Sequence, residues 1–224
     1  MVSLNERTSS ILETAVRDFI ETGNPITSEG LFSAYDFGIK PAMIRRELGN
    51  LAEAGYLYQT HPSGGRFPTD RAYEFYVSRA RAKAEAARAK APRPLAEELR
   101  AGEMQGFVDG ISAYLNAWAL GRRAGEVYVS HLSELLPHLG ISDADELVDI
   151  VRDLESLPAR IRASRALPAV PVVFIGRNPF TQNEHLSVIA GSLPDGECSI
   201  FVVGPKRMDY EKSLRLLCSL GDLM

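Results

Sequence analysis

Apolar positions in the first part of the chain recur with the 3.6-residue period of amphipathic α-helices. The pattern predicts three helices, over residues 5–22, 29–35 and 41–54. Thr27 or Ser28 can cap the second helix, because side-chain hydroxyls accept hydrogen bonds from the first N–H groups of a helix. Three short helices with a tight turn between the second and third are typical of a helix-turn-helix. A three-helix bundle without a DNA-binding role is the alternative.

The third predicted helix has one apolar face and one basic, amide-bearing face. Its apolar positions are Ile44, Leu48 and Leu51. Away from that face lie Arg45, Arg46 and Asn50. Pro41 suits the first turn, where its missing N–H costs nothing, and Gly55 suits the end of the helix, where left-handed backbone is common. A helix with such a polar face fits the major groove of DNA.

A short β-hairpin is predicted directly after this helix. Residues 56–58 suit a strand, residues 62–65 (Pro-Ser-Gly-Gly) suit a turn, and Arg66 and Phe67 begin the returning strand. Together with the helices this hairpin describes a winged helix-turn-helix, in which the hairpin is the wing. An arginine at the wing can contact phosphates or enter the minor groove.

Residues 71–90 are predicted as a long helix that leads out of the winged part. Its second half, SRARAKAEAARAKA, consists of strong helix formers with alternating charge, which favours a solvent-exposed linker helix. A helix that contacts phosphates or supports a dimer is the alternative. Pro92 and Pro94 end this helix and mark a domain boundary.

Beyond this boundary, strand and helix patterns are interleaved. Helices are predicted over residues 95–120, 131–139, 144–157 and 210–220. Strands are predicted over residues 126–130, 171–175, 186–191 and 199–203. Strands interleaved with helices, ending in strand–turn–helix, indicate an α+β domain with a small sheet.

The distribution of charge divides the 224-residue chain, although the formal net charge is only −4. Residues 39–93 hold 11 Lys and Arg against 5 Asp and Glu, whereas residues 94–224 hold 12 against 18. One basic and one acidic section suit a DNA-binding part joined to a part with another task.

Several classes of protein are not expected from the sequence. There is no run of 18 apolar residues and no apolar signal core, so a cytoplasmic protein without a membrane partner is predicted. Cys198 and Cys218 lack metal-ligand spacing and are expected to be packed side chains. Because no nucleophile–base pair, metal cluster or Walker-type loop occurs, no catalytic residue, metal or cofactor is predicted.

Five stretches of the chain match motifs of one known protein family. Residues 61–70, HPSGGRFPTD, are similar to the family motif HTSAGRIPTD, and residues 72–77, AYEFYV, to GYRYYV. Residues 23–28, GNPITS, parallel TGEPVGS, and residues 41–45, PAMIR, parallel PATIR. Far from these, residues 204–210, GPKRMDY, resemble the terminal motif GPTRMDY. Because the motifs occur in order and far apart, the chain resembles, over nearly its whole length, the heat-inducible transcription repressors called HrcA.

The resemblance implies a winged-helix DNA-binding domain, a GAF-like domain and a dimerisation domain inserted in the latter. It also implies a homodimer that binds an inverted-repeat operator in double-stranded DNA and represses chaperone genes. The GroE chaperonin is the implied partner that keeps the repressor active. During heat stress, unfolded proteins compete for the chaperonin and repression is lost.

The chain departs from the family pattern in two respects. It is shorter, and the missing length falls around residues 95–169, so the dimerisation insert is expected to be reduced or absent. Met43 and Arg46 stand where the family pattern has Thr and Asn. Because base readout depends on such side chains, the operator sequence is expected to differ.

The expected fold class is α+β, with an N-terminal winged helix-turn-helix joined by a long helix to a C-terminal GAF-like α+β domain. The winged domain is assigned to residues 1–78, the linker helix to 79–94 and the GAF-like domain to 95–224. The expected function is repression of heat-shock genes. The alternative is a ligand-responsive winged-helix regulator whose GAF-like domain binds a small molecule.

Thirteen residues are predicted to contact DNA. They are Thr27, Ser28, Lys40, Ala42, Met43, Arg45, Arg46, Asn50, His61, Ser63, Gly64, Gly65 and Arg66. Arg45 and Arg46 are the first candidates, because bidentate Arg–guanine pairs are the commonest specific contact in the major groove. Arg45 could instead pair with an acidic neighbour such as Asp70, and capping alone would explain Thr27 or Ser28 as well.

Overall fold

A computed structural model describes residues 4–61, 64–87, 90–141, 143–194 and 196–221. The chain divides into two compact units, Met1–Arg79 and Ala80–Met224. Helix α4, Asp70–Ala87, begins in the first unit and ends in the second. The assignment of residues 1–78, 79–94 and 95–224 to a winged domain, a linker and a GAF-like domain stays a prediction.

The first unit contains three helices and a two-stranded hairpin before α4. They are α1 Glu6–Thr22, α2 Ser28–Ala34, α3 Pro41–Glu53, β1 Leu57–Tyr58 and β2 Phe67–Pro68. The Asn5 side chain caps α1 by accepting a hydrogen bond from the Thr8 N–H at 2.9 Å. Thr27 caps α2 in the same way, through the Gly30 N–H at 3.0 Å. The three predicted helices are therefore confirmed, with small shifts at their ends.

The apolar face of α3 lies in the core of the first unit, as its pattern predicts. Fully buried side chains there include Ile11, Leu12, Val16, Leu31, Ile44, Leu48 and Leu51. Glu47 is also buried, and its carboxylate accepts a hydrogen bond from the Thr8 hydroxyl at 2.9 Å. This bond ties α3 to α1 and fixes which side of α3 faces solvent.

Among the described residues, a five-stranded antiparallel sheet is the centre of the second unit. Its strands are β3 Trp118–Arg123, β4 Glu126–Val129, β5 Val172–Ile175, β6 Leu186–Ser192 and β7 Cys198–Pro205, in the order β4-β3-β7-β6-β5. The helices of this unit after α4 are α5 Arg93–Ala101, α6 Met104–Leu115, α7 Ala144–Ala163 and α8 Tyr210–Leu220. The expected α+β class is confirmed, and the sheet with its helices is consistent with a GAF-like domain.

Helices cover both faces of this sheet. Helix α7 packs Ile150, Leu154 and Leu157 into one core cluster that includes Leu120 of β3. The next residue, Gly121, points to the other face, where a side-chain Cβ would lie 2.8 Å from Val108 of α6. Because neighbouring strand residues point to opposite faces, α6 and α7 are on opposite sides of the sheet.

Two predicted helices of the second unit are wrong in part. The segment 95–120 is two helices and a strand, because Gly102 (φ 79°) and Asn116 (φ 50°) adopt left-handed backbone that ends α5 and α6. The segment 131–139 forms two 3₁₀ turns rather than an α-helix. Pro137 in its second turn has no N–H to donate, which disfavours a continuous helix.

Asp153 on α7 joins that helix to the loop after β5. Its side chain is 9% exposed, and it accepts hydrogen bonds from Arg160 at 2.6 Å, from the Gln182 N–H at 2.9 Å and from the Thr181 hydroxyl. Burial raises the pKa of Asp153, but the hydrogen bonds from Thr181, Arg160 and the Gln182 N–H lower it by more, so the net shift is downward.

We expect Asp153→Asn to lower the free energy of unfolding at neutral pH by about 1.5–3 kcal/mol, because hydrogen bonds to a charged acceptor are lost. The pKa of Asp153 is lower in the folded than in the unfolded chain, so the ionised carboxylate stabilises the fold at pH values above the unfolded-state pKa of about 3.9. This contribution is lost as pH falls through the folded-state pKa of Asp153. The free energies of unfolding of the two proteins, measured in urea at several pH values, should therefore converge in acid.

The control is Asp149→Asn, which breaks an exposed pair with Arg152 at 3.2 Å and should change the free energy of unfolding little. Equal losses for both variants would contradict the role of Asp153.

Candidate nucleic-acid interface

The outer side of α3 carries the predicted DNA-contacting side chains. Ala42, Arg45, Arg46 and Asn50 are exposed, as is Lys40 directly before the helix, and Met43 is half-buried. Lys40 makes no side-chain cap on α3, which begins at Pro41. The exposed face is therefore cationic, and its side chains have room to meet a ligand.

Arg45 and Arg46 differ in their surroundings. Arg45 Nη2 lies 2.7 Å from Glu29 Oε1, and both side chains are about two-thirds exposed. Arg46 has no ion-pair partner among the described residues. The alternative that Arg45 pairs with an acidic neighbour is right, but the partner is Glu29 on α2 rather than Asp70.

Glu29 links α2 to α3 through two hydrogen bonds. The buried Ser28 hydroxyl donates to Glu29 Oε2 at 2.9 Å, and Arg45 donates to Oε1 at 2.7 Å. The hydrogen bond from Ser28 and the neighbouring Arg45 guanidinium lower the pKa of Glu29. The carboxylate is therefore ionised near neutral pH, where it neutralises part of the cationic face.

The hairpin is joined to the start of α2 through main-chain hydrogen bonds. Ile26 N–H donates to the Arg66 carbonyl at 2.8 Å, and Arg66 N–H donates to the Ile26 carbonyl at 2.9 Å. Gly65 lies so close to this segment that a Cβ would be 2.5 Å from Pro25 Cβ. Only glycine allows this approach, so Gly65 has a structural role in placing the hairpin.

The hairpin is also fastened to the end of α3. The Thr69 hydroxyl donates to the carbonyls of Gly55 at 2.8 Å and Tyr56 at 3.1 Å. Arg71 donates to the Ala54 carbonyl, and its guanidinium lies 4.4 Å from the centroid of the Tyr56 ring. These bonds fix β1 and β2 relative to the exposed face of α3.

A concave surface that encloses a volume of about 350 Å³ lies where α2, α3 and the hairpin meet. Its lining residues are Ile26, Thr27, Ser28, Glu29, Arg45, Gln59, Gly64, Gly65 and Arg66. The structure thus brings together six of the thirteen predicted residues. Arg66 Nε is buried there and has no hydrogen-bond partner among the described residues.

The other predicted residues lie outside this concave surface. Lys40, Ala42, Met43, Arg46 and Asn50 belong to α3 or its start, and His61 is exposed on the hairpin. Ser63 lies outside the described residues. Among the described residues, no group of three or more His, Cys, Asp or Glu is placed to hold a metal ion, and no helix is long and apolar enough to cross a membrane.

A family model described as the HrcA protein C terminal domain matches residues 78–214, more than half of the chain. The chain belongs to the HrcA family.

Two curated relatives, from Natranaerobius thermophilus and Clostridioides difficile, are each named heat-inducible transcription repressor HrcA. The first is 43% identical over 76 residues, 34% of this chain and 22% of that relative. The second is 42% identical over 84 residues, 38% of this chain and 25% of that relative. The matched part of the chain thus spans about a quarter of these relatives.

The fold is similar to that of a solved structure. A crystal structure of a hypothetical protein at 2.2 Å resolution matches 99% of this chain and 98% of its own chain, with a TM-score of 0.71 and 15% identity. At this identity the likeness concerns the fold alone.

Two residues of this candidate interface in the HrcA-family chain were missed by sequence reasoning. Glu29 lies two positions after the cap of α2. Acidic residues are common there because they complement the helix dipole, so the position of Glu29 in the sequence did not indicate an ion pair with Arg45. Gln59 donates to the Gly64 carbonyl across the hairpin. A polar residue between a strand and a predicted turn is a weak signal, since such positions are usually polar.

Proposed function

We propose that this chain is a transcription repressor of heat-shock genes that binds double-stranded DNA through its first unit. The observation that carries the proposal is that the start of α2, the exposed face of α3 and the hairpin meet at one surface with Arg45 and Arg66. Helix-turn-helix proteins place a second helix in the major groove, and a wing can reach phosphates or the minor groove. In this proposal the first unit is a winged helix-turn-helix.

The roles proposed for the two arginines of α3 follow from their contacts. Arg46 reads a base edge in the major groove, because no acidic side chain among the described residues competes for its guanidinium. Arg45, which is held by Glu29, contacts a phosphate or releases Glu29 on binding. Lys40, Ala42, Met43 and Asn50 complete the contact surface of the helix.

The roles proposed for the remaining residues concern the DNA backbone. Thr27 and Ser28 at the start of α2 both line the concave surface. The exposed Thr27 hydroxyl can meet a phosphate, whereas the buried Ser28 hydroxyl holds the Glu29 carboxylate beside that surface. On the hairpin, Arg66 supplies the cation, and Gly64, which has no side chain, lets the main chain approach the DNA backbone closely. Gly65 contributes by holding the hairpin against Pro25. His61, which is exposed on the hairpin, and Ser63 are proposed to contact the DNA as well.

We propose further that the repressor is a homodimer on an inverted-repeat operator, as its membership of the HrcA family implies. A two-fold symmetric protein would match the symmetry of such an operator. The name of its relatives, heat-inducible transcription repressor, supports control by heat. GroE chaperonin is the proposed partner that maintains repression. The second unit is the proposed GAF-like domain, with a reduced or absent dimerisation insert.

Replacement of Glu29 by glutamine should tighten binding to DNA of any sequence by several-fold. The change removes a negative charge beside Arg45 and leaves the shape of the side chain nearly unchanged. Binding to a labelled duplex should also depend more steeply on salt, because the interface gains effective positive charge. Fluorescence anisotropy at two salt concentrations measures both effects.

The matched control for this change is Glu74→Gln, which removes the same charge from the exposed surface of α4. It should alter DNA affinity much less, since Glu74 does not line the concave surface. Weaker binding by Glu29→Gln would contradict the competing role of Glu29 and would mean that its carboxylate supports the complex.

A reporter gene tests repression itself. A promoter that carries an inverted-repeat operator, selected by its binding to the purified chain, is placed before the reporter in cells with and without this protein. Reporter output should fall when the protein is present and recover after a heat shock. Output that is unaffected by the protein would contradict repression, and repression that persists through heat shock would contradict heat control.

A further inference from the structure

A cavity of about 380 Å³ in the second unit is lined by several cationic side chains. Lys90, Lys212 and Arg215 line it, together with Asp209 and the ring of Tyr114. Small-molecule sites in proteins have volumes of roughly 300–1,000 Å³, so the cavity is large enough for a metabolite. Its lining residues come from the end of α6, from α8 and from the segment before α5, and none of them lines the DNA-binding surface proposed above.

Two of the cations are held in place by their neighbours. Lys212 Nζ donates to the Tyr114 carbonyl and lies 4.4 Å from the centroid of the Tyr114 ring. Arg215 donates to Glu211 Oε2 at 3.1 Å, one turn earlier on α8. An ammonium group has three donors and a guanidinium has five, so both side chains retain donors for a bound anion.

The charge of this lining differs from that of its surroundings. Residues 94–224 hold more acidic than basic side chains, 18 against 12. The cavity nevertheless has three basic residues and one acidic residue in its lining. That acidic residue, Asp209, already accepts a hydrogen bond from the Lys212 N–H at 2.9 Å as the cap of α8. With Glu211, which pairs with Arg215 beside this lining, three basic side chains face two acidic ones, so the local charge is 3 − 2 = +1.

We propose that this cavity binds a small molecule with at least two negative charges, such as a phosphorylated or polycarboxylate metabolite. Lys212 and Arg215 contact its anionic groups, and Lys90 adds a third positive charge at the edge. The exposed part of the Tyr114 ring supplies an apolar wall for the rest of the ligand. The site does not depend on the DNA-binding function proposed above.

Calorimetric titration of the full chain at low ionic strength tests this proposal, with inorganic pyrophosphate, citrate and acetate as probes. Pyrophosphate or citrate should bind saturably, and acetate, with its single charge, should bind much more weakly. Lys212→Gln and Arg215→Gln should each weaken binding about ten- to a hundredfold, because each removes a charge-assisted hydrogen bond. Arg215→Gln keeps the bond between Lys212 and Tyr114 and so tests the site even where Lys212→Gln unfolds.

The control variant is Arg165→Gln, which removes an exposed positive charge of the same unit outside the cavity. It should bind the probes as the unaltered chain does. Absence of saturable binding by both pyrophosphate and citrate would overturn the proposal. Equal losses for Arg165→Gln and Arg215→Gln would also overturn it, because general attraction to a basic surface would then explain the binding.

Discussion

Replacement of Arg46 by alanine should weaken binding to the operator about 5- to 150-fold, while binding to unrelated duplexes should fall much less. A bidentate contact between arginine and guanine contributes roughly 1–3 kcal/mol of discrimination between bases. Arg46 is exposed on α3 and has no ion-pair partner among the described residues, so its guanidinium is available for such a contact. Anisotropy titrations with operator and scrambled duplexes measure both affinities.

The control for Arg46→Ala is Arg100→Ala, which removes one exposed positive charge from α5 in the second unit. This variant should keep the selectivity for the operator. The same loss on operator and scrambled duplexes for Arg46→Ala would mean that Arg46 contacts the backbone, and the assignment of base readout would be wrong. Substitution of Arg46 by asparagine, which the family pattern has here, should change the preferred base rather than abolish selectivity.

Gly65→Ala should destabilise the first unit by about 1–3 kcal/mol, the usual cost of forcing extra atoms into a close-packed site. The new Cβ would lie 2.5 Å from Pro25 Cβ and 3.1 Å from the Ile26 carbonyl oxygen, and neither position can yield without moving the main chain. Separation of these segments would break the two hydrogen bonds between Ile26 and Arg66. DNA affinity should fall at the same time, because Arg66 would lose its position.

Thermal unfolding and DNA titration of the same preparation test both parts of this prediction. The control is Gly49→Ala, because a Cβ at this position of α3 meets no atom within 4 Å. Its stability should rise by up to about 1 kcal/mol, since alanine favours a helix over glycine. Unchanged stability of Gly65→Ala would contradict the close approach of the hairpin to the segment before α2.

Local pattern was sufficient to predict most of the fold. The helical spacing of Ile44, Leu48 and Leu51 correctly predicted α3, and the apolar runs that are now seen to be buried predicted β6 and β7. The prediction failed for β3, because Leu115 and Trp118 continue the spacing of the preceding helix. The strand begins there because Asn116 turns the chain, after which Trp118 to Arg123 pair with β7, a partner far away in sequence.

The interface could be predicted only in outline. Residue types on α3 and the hairpin indicated DNA contact without any tertiary information. The pair between Glu29 and Arg45 depends on how α2 and α3 cross, and the need for glycine at position 65 depends on the approach of Pro25. Such contacts between distant residues leave no periodic signal in a single sequence.

Selection of duplexes from a random pool by the purified full chain, followed by titration of the recovered sequence and a scrambled copy, tests the central claim most directly. The account predicts an inverted repeat that is bound about a thousandfold or more tightly than the scrambled duplex, within the usual range for specific over non-specific binding. Its affinity should fall steeply as salt rises, because phosphate contacts release counterions. Recovery of no common sequence, or equal binding to both duplexes, would contradict sequence-specific DNA recognition by this chain.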